Sequence, residues 1–348
     1  MFPRIAYLRF ADRWFGHVRY DLATSGVAPV SAAELGNAPA DDRGARERYV
    51  AEISARYGVD ASEIVPCVGA SGALFAVYAG LLDGGGLLVE DPAYEPLWRA
   101  AEALGVRVDR FSREATRIDP ERVLGALRPD TRIVAITNPH NPSGGVLGDD
   151  ALIELAGALE ARGAWLFVDE VYLELVHPAH TARRLAPNVI TCSSITKCLG
   201  VPWARAGWLL LPSERAEAVA HVAIYTVGLA PPSCWGWGER ALASADALLE
   251  RTRAIQAGKR EFVDAFAARH ASALAWTPPP DAACFGWFKD ARGRHLTALI
   301  ERGIEAAGVV VSPGEFFGDP RAFRLSWTAP REVVIAGLEQ LSQVLELE

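Results

Sequence analysis

An apolar run that ends in a carboxylate occurs in Trp165-Leu166-Phe167-Val168-Asp169-Glu170-Val171-Tyr172. A buried carboxylate is costly unless a cation or a hydrogen-bond donor partners it, so this strand end needs a partner. Similar apolar runs precede and follow it and alternate with segments of helical periodicity or composition. This alternation predicts an α/β fold whose mostly parallel sheet is covered by helices on both faces.

The predicted sheet uses the apolar runs between residues 64 and 211. We expect strands at 64–67, 86–90, 106–111, 132–136, 165–168, 189–192 and 207–211. Between them, helices are expected at 72–82, 94–104, 120–127 and 149–162, and several of these begin with the Pro or Asp that is common in a first turn.

The sequence pattern changes after Pro231-Pro232, where a long helical stretch is predicted over about residues 238–270. Strand-like runs at 283–288, 309–312 and 323–327, with helices at 295–307 and 331–347, then indicate a compact α+β unit. The first forty residues are too irregular to stand alone. We therefore expect a large domain at 41–235, a small C-terminal domain at 236–348, and an N-terminal segment, 1–40, that packs on the small domain.

The composition argues against several classes of protein. A formal net charge of -8, with Lys+Arg 35 against Asp+Glu 43, provides no basic field for nucleic acid or for an acidic membrane surface. Five cysteines are scattered without Cys-x-x-Cys spacing, so neither a metal site nor a disulfide framework is expected. No apolar run approaches a membrane span or a signal peptide. A cytoplasmic protein with small-molecule partners is predicted.

Lysine is scarce in this chain, which contains only Lys197, Lys259 and Lys289. The first lies in Ser193-Ser194-Ile195-Thr196-Lys197, between two apolar strand-like runs. An amine can lose its proton and become a nucleophile, which arginine cannot do. Eight residues later, Arg205 provides a permanent cation for an anion. This pair would suit a phosphorylated aldehyde cofactor.

Several turns after predicted strands carry polar or aromatic residues. Gly69-Ala70-Ser71 opens a helix and could cradle a phosphate, although such a turn is often only a tight turn. Tyr94 follows a strand and could stack on a flat ring or simply begin a helix. The doubled Asn-Pro of Asn138-Pro139-His140-Asn141-Pro142 stiffens its loop and would present the Asn141 amide rigidly. Asp169 would pair with a protonated pyridine nitrogen, or else cap the next turn.

In this order, these motifs resemble those of the class I/II aminotransferases, which are fold type I pyridoxal-phosphate enzymes. The resemblance covers about residues 21–345 and implies pyridoxal 5'-phosphate as the cofactor. It implies that the phosphate is bound by Gly69, Ala70, Ser71, Ser194 and Arg205. It also implies contacts of the pyridine ring with Tyr94 by stacking, with Asn141 and Tyr172 at the ring hydroxyl, and with Asp169 at the ring nitrogen.

The resemblance also implies how a substrate is held and transformed. Lys197 would form the Schiff base, and Arg324 in Phe323-Arg324-Leu325-Ser326-Trp327 would hold the α-carboxylate as a bidentate fork. Gly26 and Asn141 would contact the substrate as well. A homodimer with the active site near the subunit boundary is implied by the resemblance alone.

Two features depart from the family pattern. Many relatives carry a tyrosine before the first large-domain helix that reaches the partner's phosphate, yet residues 36–42 contain none, and the position of Tyr49 is not defined well enough for it to substitute. Tryptophans crowd the expected mouth of the site at Trp203, Trp235 and Trp237. They would line an apolar substrate pocket or, on the plainer interpretation, pack in the dimer interface.

The expected activity is transfer of an amino group between an α-amino acid and a 2-keto acid. Decarboxylation stays open, because the Lys197 segment also looks like that of threonine-phosphate decarboxylases, and so does β-elimination. We expect an uncharged or aromatic substrate side chain, because no second arginine is placed for a side-chain carboxylate. A distant alternative is an α/β-hydrolase with Ser71 as nucleophile, which would leave Lys197 unexplained. A cofactor-binding regulator fits the acidic charge less well.

Overall fold

A computed structural model describes residues 2–37 and 43–346 of the chain. Its strands are β1 (Tyr20–Asp21), β2 (Ile64–Val68), β3 (Gly86–Asp91), β4 (Val108–Ser112), β5 (Thr131–Thr137), β6 (Trp165–Asp169), β7 (Val189–Ser194), β8 (Ala206–Leu210), β9 (Leu274–Trp276), β10 (Phe285–Asp290), β11 (Val309–Val310), β12 (Ser312–Pro313) and β13 (Ala322–Ser326). Its helices are α1 (Ala6–Trp14), α2 (Ala32–Leu35), α3 (Ala45–Tyr57), α4 (Gly69–Leu81), α5 (Pro96–Ala103), α6 (Pro120–Ala126), α7 (Asp149–Glu160), α8 (Leu173–Val176), α9 (Ser213–Val227), α10 (Pro232–Ala243), α11 (Ala245–Gln256), α12 (Arg260–Arg269), α13 (Thr297–Ala307) and α14 (Arg331–Glu346).

The larger sheet has seven strands in the order β2-β8-β7-β6-β5-β3-β4. The strands from β7 to β4 are parallel, whereas β8 runs antiparallel to both of its neighbours. Each strand of this sheet was expected from its apolar run, and the ends differ by one or two residues. The predicted α/β fold with a mostly parallel sheet is therefore confirmed.

Both faces of this sheet are buried, which explains its continuous apolar runs. In β3, Leu87 and Val89 pack in the same cluster as Val77 of α4, while Leu88 belongs to the cluster of Leu155 in α7 on the opposite face. Adjacent strand residues face opposite sides, so a strand covered on both sides needs an apolar residue at each position. Each such buried side chain contributes about 1.5–3 kcal/mol to folding.

The strand directions bring several chain segments to one edge of the sheet. The parallel strands β3, β5, β6 and β7 end there, at Asp91, Thr137, Asp169 and Ser194. Because β8 runs the other way, it begins at this edge, and its antiparallel neighbour β2 ends there. The turns that carry the predicted site residues therefore meet, as ligand sites of open α/β sheets do.

A second sheet has the order β12-β13-β10-β9, and β1 pairs in parallel with β11. Residues of α12, α13 and α14 pack with its apolar side chains in one cluster. The long helix predicted over about 238–270 is wrong, because α10, α11 and α12 are separate helices with breaks at Ser244 and at Gly258, which has a φ of 66°. Helix α9 and the three-residue β9 were not predicted. The domain boundaries at residues 40 and 235 stay a prediction.

Two searches of the described residues had negative results. None of the helices in residues 2–37 and 43–346 is long and apolar enough to cross a membrane. Within the same ranges, no group of three or more His, Cys, Asp or Glu side chains is arranged to hold a metal ion.

Candidate active site

A cavity of about 270 Å³ lies where these turns meet. Most residues that were predicted for the site line it: Ala70, Ser71, Tyr94, Asn141, Asp169, Tyr172, Ser194, Lys197 and Arg205. A larger cleft of about 720 Å³ between α1 and α13 contains none of the predicted residues. The chemistry suggested by the sequence is thus concentrated in the smaller cavity.

Lys197 lies in the turn that follows β7. Burial lowers the pKa of its amine below the usual value, and the positive charges of Arg324 and Arg205 act in the same direction, although Tyr7 opposes them. Its Nζ lies 5.9 Å from the centroid of the Tyr172 ring. A Cβ at Gly26 would lie 3.9 Å from Lys197 Cδ, so the predicted Gly26 segment borders the lysine stem. A lowered pKa favours the neutral amine that covalent chemistry needs.

Asp169 is a buried carboxylate at the end of β6. Burial raises its pKa to about 6, and the backbone N–H of Val171, which donates to Oδ1 at 3.1 Å, acts in the opposite direction. This hydrogen bond shows that Asp169 also stabilises the following turn, as the alternative interpretation proposed. Among the described residues, no ion pair satisfies its charge. A carboxylate in this position fits a cationic group within the cavity.

The turn between β2 and α4 is built around Gly69. This residue has a φ of 68°, and a Cβ there would lie 2.6 Å from Nη2 of Arg205, so only glycine lets the guanidinium pass so close. Arg205 itself has a φ of 55°, an uncommon value for a residue with a side chain. Ser71 and Arg205 are exposed, whereas Ser194 is buried. The free N–H groups at the start of α4 and the Arg205 cation fit a phosphate.

Thr196 is a site residue that the sequence interpretation missed. It lines the cavity, and its Oγ1 is buried without a hydrogen-bond partner among the described residues. Ser25 also lines the cavity, and its Oγ lies 2.6 Å from the Tyr172 hydroxyl. Both residues lie next to predicted ones in the sequence. A hydroxyl side chain beside Lys197 or Gly26 does not by itself indicate that it lines a cavity.

Arg324 lies in β13 behind the cavity wall and is fully buried. Its Nη1 donates to Asn141 Oδ1 at 2.8 Å. Its Nη2 lies within bonding distance of the Tyr7 hydroxyl at 3.0 Å, the Ala23 carbonyl at 2.9 Å and the Ser312 hydroxyl at 3.2 Å. Since Arg324 can only donate, it sets the amide orientation of Asn141 and leaves the Asn141 Nδ2 hydrogens for a ligand.

A buried hydrogen-bond network holds the Asn141 backbone in place, and the sequence did not indicate this network. The Asn141 N–H donates to Thr137 Oγ1 at 2.8 Å, and that hydroxyl donates to Glu90 Oε1 at 2.7 Å. Arg113 pairs with Glu90 and donates to the Thr137 carbonyl at 2.7 Å. Burial raises the pKa of Glu90, while the Arg113 charge opposes this. The pair fixes the strand end from which the Asn141 loop departs.

Tyr49 and the three tryptophans do not line the cavity. Tyr49 is buried in the core and stacks on Trp235 with ring centroids 5.6 Å apart. Trp203 packs edge-on against Trp237 at 4.9 Å. Of the loop at 36–42, which lacks a tyrosine, residues 38–42 lie outside the described part of the chain.

A family model described as aminotransferase class I and II matches residues 45–340. The chain belongs to this family. It is 30% identical over 299 residues to the arginine–pyruvate transaminase AruH of Pseudomonas aeruginosa, which covers 80% of this chain and 74% of that protein. Membership removes the hydrolase and regulator alternatives: this chain is an enzyme of the transferase class.

Solved structures agree with this assignment. A pyridoxal-phosphate-dependent aminotransferase from Streptococcus suis superimposes with a TM-score of 0.89 at 23% identity, covering 99% of this chain and 98% of that chain. The pyridoxal-phosphate-dependent cyclase OrfR superimposes with a TM-score of 0.88 at 25% identity, covering 99% and 97%. The fold is type I, and the cofactor of this family, pyridoxal phosphate, fits the Gly69 cradle and the buried Asp169 carboxylate, which has no ion-pair partner among the described residues.

Proposed function

We propose that this enzyme transfers an amino group between an α-amino acid with an uncharged side chain and a 2-keto acid, with Lys197 as its catalytic amine. The observation that carries the proposal is a buried lysine with a lowered pKa in the same cavity as a buried carboxylate that has no ion-pair partner among the described residues. An amine for covalent chemistry and an anion for a ring cation are what transamination on pyridoxal phosphate needs.

The cofactor supplies an electron-withdrawing ring that stabilises negative charge at the substrate Cα. The phosphate would be held by Gly69, Ala70, Ser71, Ser194 and Arg205, and the ring by Tyr94, Asn141, Asp169 and Tyr172. The Asp169 carboxylate would keep the ring nitrogen protonated. Lys197 would hold the cofactor covalently and, once the substrate amine replaces it, carry the proton that leaves the substrate Cα. Arg324, with Asn141 and the Gly26 segment, would orient the substrate carboxylate.

The cavity wall supports an uncharged substrate side chain. Among its described lining residues, the charged ones are Asp169, Lys197 and Arg205, and each already has a proposed role. Leu8, Leu74 and Pro96 add apolar surface. A second substrate charge would therefore be buried within one chain without a partner, which costs free energy.

A screen of amino donors tests this proposal. We expect leucine, methionine and phenylalanine to convert the bound cofactor to pyridoxamine phosphate at least about tenfold more efficiently than aspartate or arginine, since about 1.4 kcal/mol of unpaired charge suffices for that factor. Absorbance spectra of the holoenzyme mixed with the amino donor alone measure the conversion of the cofactor. The 2-keto acid and carbon dioxide are assayed in the same samples. Carbon dioxide without keto acid would favour decarboxylation instead. Arginine as the best donor, in keeping with the name of the Pseudomonas relative, would contradict the uncharged pocket.

A homodimer is the proposed assembly. The phosphate end of the cavity is open in one chain, since Ser71 and Arg205 are exposed. Two large apolar side chains at the end of α9 and just after it are also exposed: Tyr225 is 93% accessible and Leu229 is 91% accessible. A second copy would cover this surface. Sedimentation equilibrium should give twice the 37.5 kDa chain mass, and Leu229→Asp should shift the protein toward monomer. A wild-type monomer at micromolar concentration would contradict the proposal.

The cytoplasmic location stays a prediction. All five cysteines are buried and unbridged, as expected for a reducing compartment.

A further inference from the structure

Helix α1 brings Tyr7 into the wall of the cavity, where no sequence motif predicts a site residue. Tyr7 is buried, and its backbone N–H donates to Glu95 Oε2 at 2.6 Å. Its ring packs edge-on against Tyr94 at 5.3 Å and Phe317 at 5.8 Å. Contacts from the segment after β3 and from the turn between β12 and β13 thus fix the position of this ring.

The Tyr7 hydroxyl is hydrogen-bonded on one side only. It accepts from Arg324 Nη2, which also has the Ala23 carbonyl and the Ser312 hydroxyl within bonding distance. The two hydrogens of Nη2 therefore have three possible acceptors, so Arg324 does not need the Tyr7 hydroxyl to satisfy this nitrogen. The proton of the Tyr7 hydroxyl has no acceptor among the described residues. Because Tyr7 lines the cavity, a ligand there is the available acceptor.

Arg324 does not itself line the cavity, whereas Tyr7 and Asn141 do. A carboxylate that approaches Arg324 must therefore come beside both side chains. Resting on the proposed function, we propose that the Tyr7 hydroxyl donates a hydrogen bond to the substrate α-carboxylate, beside Arg324 and Asn141. A phenol that accepts from a guanidinium and donates to a carboxylate forms a charge-assisted chain. Helix α1 is thereby coupled to substrate binding.

Tyr7→Phe tests this role, because it removes the hydroxyl and keeps the ring. In the holoenzyme, calorimetric titration with 3-phenylpropionate should show about tenfold to hundredfold weaker binding than in wild type, as expected for a lost hydrogen bond to a charged group. Binding of the neutral 3-phenylpropionamide should change by less than about twofold. For the best amino donor, KM should rise with a smaller change in kcat, since the contact is present in both ground and transition states.

Two further variants separate a direct contact from a structural effect. Tyr20→Phe makes the same change in β1, outside the cavity, and should bind the probes as wild type does. Ser312→Ala removes another acceptor of Arg324 Nη2 without altering the cavity wall, and should weaken carboxylate binding less than Tyr7→Phe does. Wild-type carboxylate affinity in Tyr7→Phe, or an equal loss in Ser312→Ala, would overturn the proposal.

Thermal unfolding checks that Tyr7→Phe is folded, which is expected because Arg324 keeps its bonds to Ala23 and Ser312. A second pair of variants covers the case of a misfolded phenylalanine variant. Tyr7→His keeps a donor and should retain more carboxylate affinity than Tyr7→Leu, and the reverse order would also overturn the proposal. If wild type converts no α-amino acid, the proposed function fails, whereas the titrations still decide the role of Tyr7.

Discussion

Replacement of Lys197 by alanine is expected to lower kcat by at least about 10⁴-fold, because in the proposed function this one side chain is both covalent anchor and proton carrier. The visible absorbance of covalently held pyridoxal phosphate should disappear as well. No other lysine lines the cavity among the described residues, since Lys289 pairs with Asp319 and Lys259 donates to the Ala329 carbonyl. Absorbance spectra and steady-state rates measure both effects.

Two controls define the chemical reason for this loss. Lys197→Arg keeps a positive charge but cannot lose its proton, so it should be as inactive as the alanine variant. Lys289→Ala removes a half-exposed lysine that does not line the cavity, so it should keep wild-type spectra and rates within about twofold. Retention of the visible absorbance by Lys197→Ala would show that another group holds the cofactor.

Asp169→Asn is expected to have opposite effects on catalysis and on the stability of the cofactor-free protein. The amide cannot hold a proton on the ring nitrogen, so kcat should fall by about 10²–10³-fold, as for the loss of one preorganised electrostatic contact. Without cofactor, however, Asp169 is a buried charge whose pKa is raised to about 6 from its usual 3.8. Removing that charge should stabilise the empty protein.

The pH dependence of this stabilisation has a definite sign. Between pH 3.8 and 6 the folded chain binds more protons at Asp169 than the unfolded chain. The free-energy cost of burying the charged carboxylate is therefore complete above pH 6 and disappears near pH 4. The variant should therefore be more stable than wild type at pH 8, on the order of 3 kcal/mol, with the gain falling as the pH drops through 6. Denaturant unfolding of the cofactor-free proteins at pH 8 and pH 5 measures this difference.

A surface carboxylate serves as the matched control. The Arg107 guanidinium lowers the pKa of Asp130, so Asp130→Asn should not stabilise the protein at any pH. Equal unfolding free energies of wild type and Asp169→Asn at pH 8 would mean that another cation neutralises Asp169 in the empty protein.

The parts of the site that follow strand ends were predictable from the sequence. Tyr94, Asn141 and Asp169 each come just after or at the end of an apolar run, and the carboxyl ends of parallel strands lie together whatever the rest of the chain does. The same reasoning placed Lys197 and the Gly69 turn. The roles assigned to these residues stay predictions that the variants above test.

Contacts between distant segments were not predictable. Glu90 and Arg113 form a buried pair, but in the sequence each is an ordinary charged residue near a strand end. The break of the 238–270 helix at Gly258 was missed because a single glycine in a periodic stretch does not by itself end a helix.

The sequence by itself determined the α/β sheet, the cofactor class and the chain order of the groups around Lys197, because strand periodicity and strand-end motifs are local. The tertiary structure alone decided what surrounds Arg324. Tyr7 and Arg324 are 317 positions apart, and their hydrogen bond exists only because β1 pairs with β11 and α1 packs beside Phe317. Hydrogen bonds require matching geometry within about 3 Å, which no periodicity in a sequence specifies.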